Sequence, residues 1–380
     1  MLKKHSTLLI LLSLAILLTV LTDGIFISPR NLTNLTRQIS LNGILAVGMT
    51  LVILISGIDL SVGSVVALAG IIVGISQSHW GLENWGIWGT FGSVILAIAV
   101  GVLCGFFNAY WMVKHNITSF ITTLGMMVIA RGLALIFSGG IAIAPMSTEL
   151  QGIGNGYIPP VASLILIGLV LASWIYISWG KLIQKPFILS QKTGQVSLSS
   201  LLASLPATLF ILIGFLSLSY VFFSYRGIPI PVFILALVAY AGHFILSRMT
   251  IGRYIFAMGG NLEASRLCGV PMGKVTFFVF IVMGGLAGLS GLILTSRLNG
   301  AIPTAGNLFE LDAIAAVVIG GTSLMGGVGT IWGSILGAFI IGTLNNGMSL
   351  MNVPTFYQMV IKGLIIILAV LFDSRSKQNR

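Results

Sequence analysis

The sequence predicts an all-α fold, a polytopic bundle of transmembrane helices. Three observations carry that expectation. Hydrophobic residues make up 57% of the chain and charged residues only 7%, against about a quarter charged in an ordinary soluble domain. Apolar stretches recur along the whole length, and about 20 such residues cross a bilayer as a helix. Period-two alternation, the mark of a membrane-barrel strand, is absent.

The elements follow in order. Lys3 and Lys4 precede an apolar run over 8–27, which lacks a small-residue cleavage pattern and so reads as a retained anchor. Further spans are predicted over 39–57, 60–76, 91–113, 120–138, 161–179, 207–223, 231–247, 276–296, 310–328, 331–347 and 357–372. That makes about twelve. The chain is expected to be one membrane domain, 1–380, because no extramembrane stretch is long enough to build a core of its own.

The net charge of +11 would suggest a nucleic-acid partner in a soluble protein. Here it sits in the loops, where basic residues set orientation, so membrane lipid and not nucleic acid is the expected surrounding. With a cytoplasmic N-terminus, thirteen Lys and Arg fall on the inside, among them Lys114, Lys181, Lys185, Lys192, Arg248, Lys274 and Arg375. Four fall outside: Arg30, Arg37, Arg226 and Arg297. Both termini are therefore expected in the cytoplasm.

Two neighbouring pairs of spans are almost fused. GIDLSVGSVVALAG (57–70) joins the second and third, and GGTSLMGGVGTIWG (320–333) joins the tenth and eleventh. Glycine permits a backbone break, and Ser or Thr can satisfy the freed amides. Interrupted helices are expected near 57–64 and 320–333. They point to a binding region or pathway, and the same small residues also suit close helix packing.

From Leu41 to Ser76 the only charged residue is Asp59. A lone carboxylate in an apolar run must face protein or water. It reads as a pathway residue, as a cap for the helix that follows, or as part of a proton relay. The other candidates for a pathway or its breaks are Asn42, Gly57, Ser61, Ser64, Asn108, Thr122, Thr123, Arg131, Asp312, Thr322, Ser323, Asn345 and Asn346. The neutral Asn42, Asn108, Thr122, Thr123, Asn345 and Asn346 suit either sugar hydroxyls or contacts between helices. Arg131 reads as reaching outward or lining a polar cavity, and Lys362 as reaching outward. No nucleophile–base pair marks an enzyme, and no cysteine pair has metal or redox spacing.

The loop 248–275 holds a short amphipathic run. Asn261 can cap a helix with Glu263 in its first turn and Arg266 on the same face. It reads as a lever for a cytoplasmic partner or as an ordinary surface helix. No phosphate-binding GxxxxGK[ST] loop exists; GVPMGKV (269–275) is one residue short and ends in Val275. Any ATP that drives this chain would sit on another.

These residues carry a family resemblance. GIDLSVGS, GGNLEASRLCGV and ELDAIAAVVIGGTSLMGGVGT, in this order, resemble segments of the permeases of bacterial sugar ABC importers of the ribose, galactose and xylose type. The resemblance runs from about residue 20 to 373. The xylose type resembles it most, over TDGIFISPRNLTNLTRQ, YRGIPIPV, SRLNGAIPTAGNLFELDAIAA and NNGMSLMNVPTFYQ. The Gly57-Ile58 pair ahead of Asp59 departs from the xylose type and is closer to the ribose type.

The resemblance implies a bacterial inner-membrane permease that moves a monosaccharide, with D-xylose first. It implies a permease homodimer, a periplasmic sugar-binding protein and a cytoplasmic ABC ATPase. ATP and magnesium would sit on that ATPase, with no cofactor on this chain. The ATPase would dock on Asn261, Glu263, Ala264, Ser265, Arg266 and Gly269. The segment near 150–225 would add two spans to a ten-span core. Competing readings are a ribose or galactose permease, an amino-acid ABC permease, and an ion-coupled secondary transporter that would need Asp59 or Asp312.

Overall fold

The computed structural model describes residues 2–172 and 214–378. The predicted loop 180–203, with Lys181, Lys185 and Lys192, lies outside them, as do the end of the 161–179 span and the start of the 207–223 span.

Fifteen helices are described. They are α1 Leu2–Leu21, α2 Pro29–Leu54, α3 Val62–Ser78, α4 Gly86–His115, α5 Ser119–Ser138, α6 Thr148–Asn155, α7 Pro160–Ala172, α8 Gly214–Ser224, α9 Ile230–Arg248, α10 Thr250–Gly260, α11 Leu262–Leu267, α12 Met272–Leu298, α13 Phe309–Ile319, α14 Ile331–Leu350 and α15 Thr355–Gln378. A helix stands on each predicted apolar segment. Five are long and apolar enough to cross a membrane by length and composition: Pro29–Leu54, Leu82–His115 (α4 with its leading 3-10 turn), Ser119–Ser138, Ile230–Arg248 and Met272–Leu298.

The tenth segment departs from expectation. The predicted 310–328 run forms only α13, 11 residues long, about 16 Å at 1.5 Å per residue and well short of a 30 Å hydrocarbon core. Gly320 and Gly321 end it, the latter at φ +88°.

The chain groups into two compact units. The first comprises 1–27, 34–156 and 230–380. Its centre is α2 and α3. In α2, 89% of the apolar window is buried, against 22% in α5 and 28% in α9. The latter two helices keep apolar faces outward, as lipid-facing helices do. α3 buries nearly every residue from Val62 to Gln77.

Small residues bring the helices together. Lipid tails are as apolar as the side chains, so close packing has to replace the hydrophobic drive between helices. α4 and α12 meet along Ala97, Gly101 and Gly105 facing Phe280, Gly284 and Gly288; a side-chain carbon on any of these four glycines would run into the facing backbone. α13 and α14 meet the same way through Ala316 and Gly320 against Gly333 and Gly337. The small residues around 320–333 therefore serve helix contact as well as the break.

The second unit comprises 28–33 and 157–229. Tyr157–Ile158 (β1) and Ile228–Pro229 (β2) pair antiparallel, with Tyr157 opposite Pro229. Ser163 Oγ donates to Ile158 O at 2.9 Å and accepts from Ile228 N at 2.9 Å. The Arg226 guanidinium stands over the Tyr157 and Tyr225 rings at 5.9 and 5.7 Å.

Candidate functional site

The first break runs from the end of α2 at Leu54 to the start of α3 at Val62. The predicted window 57–64 thus includes three residues that are already helical. A break inside an apolar bundle leaves amides that lipid cannot satisfy. Here several of them have partners. Gly57 N donates to Val52 O at 2.9 Å. Ile58 N donates to Ser119 Oγ and Leu60 N to Thr123 Oγ1, both at 3.1 Å. Ser61 N donates to Asp59 Oδ1 at 2.8 Å.

Asp59 is 3% exposed. Its Oδ1 also accepts from Ser61 Oγ at 2.6 Å, and Asn108 Nδ2 donates to that hydroxyl at 3.2 Å. The carboxylate therefore holds the turn just before α3. It does not cap the helix in the usual sense: the N-cap is Ser61, whose side chain accepts from none of the helix amides. Asp59, Ser61 and Asn108 form a buried polar cluster from α3's lead and α4, and Ser119 and Thr123 of α5 hold the backbone on either side of Asp59. Asn108 Oδ1 is buried there with no hydrogen-bond partner among the described residues. Ser64 is buried in the first turn of α3, and Thr122 Oγ1 turns back to Thr118 O at 3.1 Å.

Beyond the cluster, a loop closes on α3. A side-chain carbon on Gly63 would run into Gly306 O and would lie 2.5 Å from the Glu310 carboxylate. Arg131 holds that loop: its Nη1 donates to Pro303 O at 2.6 Å and to Ala305 O at 2.9 Å. It is thus a clamp on loop carbonyls.

A second polar group lies at α13. Asp312 is 5% exposed. It pairs with Lys362 Nζ of α15 at 3.1 Å, and Asn42 Nδ2 of α2 lies 3.5 Å from its Oδ2. Lys362 was expected to reach outward; an ion pair inside the bundle holds it instead, because Asp312 offers a charge that the apolar surroundings do not.

The second break, Gly320 to Thr330, is a tight turn. Ser323 N donates to Val328 O at 2.8 Å and Gly326 N to Ser323 O at 3.0 Å. Thr330 caps α14 by accepting from Gly333 N at 3.1 Å. Thr322 is buried with its Oγ1 3.5 Å from Ser334 Oγ, which accepts from Thr50 Oγ1 at 2.7 Å. Asn345 is buried on α14 with its Oδ1 unpartnered among the described residues, beside the half-buried Asn346.

The segment 261–269 is different in kind. Asn261 caps α11, accepting from Ala264 N at 2.9 Å. Glu263, Ala264 and Arg266 are exposed, while Ser265 is buried and donates to Asn261 O at 2.7 Å. Leu262 and Leu267 are 56% and 84% exposed. Gly269 ends the segment at φ +76°. It is a short capped helix presenting two leucines that flank its charges.

Residues 31–370 match the family described as "Branched-chain amino acid transport system / permease component". The chain belongs to this permease family. It is 39% identical, over 97% of its length and 91% of the relative's, to the xylose transport system permease protein XylH of Escherichia coli strain K12. It is 38% identical to XylH of Haemophilus influenzae, over 98% of this chain and 96% of that one. It is 36% identical to the ribose import permease protein RbsC of Haemophilus influenzae, over 98% and 94%. No solved structure matches it.

Within the permease, the structure brings Asp59, Ser61 and Asn108 together and places Asn42 with Asp312. Arg131 acts on a loop apart from both. Sequence reading left Ser119, Ser56 and Lys362 out of the candidate site. Ser119 and Thr123 had a signal: hydroxyls four residues apart share one helix face. The partners they serve lie about sixty residues upstream, and nothing local reveals that.

Proposed function

We propose that this chain is the membrane-spanning subunit of an ATP-driven importer, and that it moves a monosaccharide, D-xylose first, across a bacterial inner membrane. The observation that carries the proposal is the end-to-end correspondence with xylose permeases at 38–39% identity. The geometry agrees with it. A buried, uncharged-donor-rich break suits neutral hydroxylated cargo, and an exposed capped helix suits a docking partner. The family's description speaks of branched-chain amino acids, but the relatives matched over more than nine-tenths of their length are named for sugars.

In this reading twelve spans place both termini in the cytoplasm. Residues 1–380 act as one permease domain, with 248–275 as its coupling segment. A cytoplasmic ABC ATPase, carrying ATP and magnesium, docks on Asn261, Glu263, Ala264, Ser265, Arg266 and Gly269. A periplasmic sugar-binding protein delivers cargo, and two copies of the permease in lipid form the pathway. Asn42, Gly57, Asp59, Ser61, Ser64, Asn108, Thr122, Arg131, Asp312, Thr322, Ser323, Asn345 and Asn346 line that pathway or shape its breaks. The chain itself binds no cofactor and hydrolyses nothing.

The test is competitive uptake into proteoliposomes holding the three chains, with labelled xylose, ribose and galactose. Xylose enters fastest on this account. Ribose fastest would favour the second reading, which the 36% identity to a ribose permease keeps in play.

A further inference from the structure

Three segments far apart in the sequence meet at one point. Gly327 N, in the second break, donates to Leu54 O at the end of α2 at 3.0 Å. Ser56 Oγ, in the first break, donates to Met325 O at 2.7 Å. The two breaks are therefore tied to each other directly. The end of α10 closes on both. A side-chain carbon on Gly259 would run into Leu54 O and Gly327 N; one on Gly327 would lie 2.8 Å from Gly260 N; one on Gly326 would lie 2.9 Å from Gly259 Cα. Gly326 and Gly327 both hold positive φ, +87° and +70°.

Apart from the Ser56 hydroxyl, only backbone occupies the contact. Side chains between helices yield by changing rotamer, whereas backbone packed on backbone transmits a displacement or breaks apart. On one side, Gly260 is followed by Asn261, the cap of exposed α11. On the other, Leu54 is followed within five residues by Asp59 and its cluster. The anchoring is firm, since Ile255 and Met258 of α10 are buried.

We propose that Gly259, Gly326 and Gly327, with Leu54 and Ser56, form the joint that carries movement of the 261–269 segment to the two breaks. These are positioning residues: none touches cargo or nucleotide. The inference rests on the importer reading given above, because only an external partner at 261–269 would supply the movement.

The experiment uses the three-component proteoliposomes and reads two quantities together, ATP hydrolysis and sugar uptake, with ATPase binding measured by co-purification. In Gly259→Ala the ATPase binds and hydrolyses ATP, but uptake per ATP falls about tenfold. Gly260→Ala is the matched control: a side-chain carbon there meets nothing within 4 Å, and the ratio stays at wild type. Ser56→Ala adds no atoms and removes only the bond to Met325, and lowers the ratio a few-fold. It decides the matter if Gly259→Ala does not fold.

A wild-type ratio in Ser56→Ala, or an equal fall in Gly260→Ala, overturns the joint. Loss of ATPase binding in Gly259→Ala overturns it too, since Gly259 would then belong to docking. Failure of the wild-type complex to take up sugar with ATP overturns the importer reading itself and is distinct from all of these.

Discussion

Asp59 shows how a charge survives in an apolar bundle. Its Oδ1 accepts two bonds from Ser61, and Ser61 in turn receives Asn108. Removing a buried acceptor strands its donors, at about 1–3 kcal/mol. Asp59→Ala should therefore lower the thermal midpoint of the detergent-solubilised protein, and Asp59→Asn, which keeps an acceptor in place, should lower it less. Equal midpoints for the two would contradict the role given to the carboxylate. The Asp312–Lys362 pair makes a sharper case. Breaking a buried pair costs about 3–5 kcal/mol, and with the Lys362 side chain 22% exposed the lower end applies. Lys362→Met should destabilise more than Lys362→Met/Asp312→Asn, as a double-mutant cycle read by thermal unfolding would show. Additive losses would contradict the pairing. The importance of Asp59 was legible in the sequence, because a carboxylate alone among apolar residues needs a reason. Its partners were not, nor was the pairing of Lys362: 50 residues separate Lys362 from Asp312, and no local rule links them.

At the scale of elements, glycine spacing sets how near the helices come. Gly284 and Gly101 face each other so closely that a side-chain carbon on either meets the other's carbonyl. Gly284→Ala must push α4 and α12 apart, at about 1–3 kcal/mol for overpacking. Gly125, on the outer helix α5, has open space at the same position. Gly125→Ala should be neutral or gain up to about 1 kcal/mol from helix propensity. Comparing the two thermal midpoints tests whether close approach, and not glycine content, holds the bundle. The apolar runs foretold a helix at each place. They also foretold the two breaks, since Gly with Ser or Thr inside a span-length run conflicts with a continuous helix. The shortness of α13 was hidden: ELDAIAAVVI reads on into the glycines without a polar stop, and its end is set by the close contact of Gly320 with Gly333.

Across the whole molecule, backbone contacts at Gly259, Gly327 and Leu54 lie between the exposed segment at 261–269 and the polar break at 55–61. Glu263 and Arg266 are exposed, so Glu263→Ala/Arg266→Ala should leave the fold and its thermal midpoint unchanged while ATPase co-purification falls. Retained binding in that variant would move the docking surface elsewhere. The energy source is the central claim, since the sequence carries no phosphate-binding loop and the spans carry few acidic residues. The most direct measurement is sugar uptake into proteoliposomes as each component is left out in turn, with and without an imposed proton or sodium gradient. The account predicts uptake only when the permease, its ATPase, its binding protein and ATP are all present, and indifference to the gradient. Uptake by this chain alone, driven by the gradient and abolished by Asp59→Asn, would contradict it.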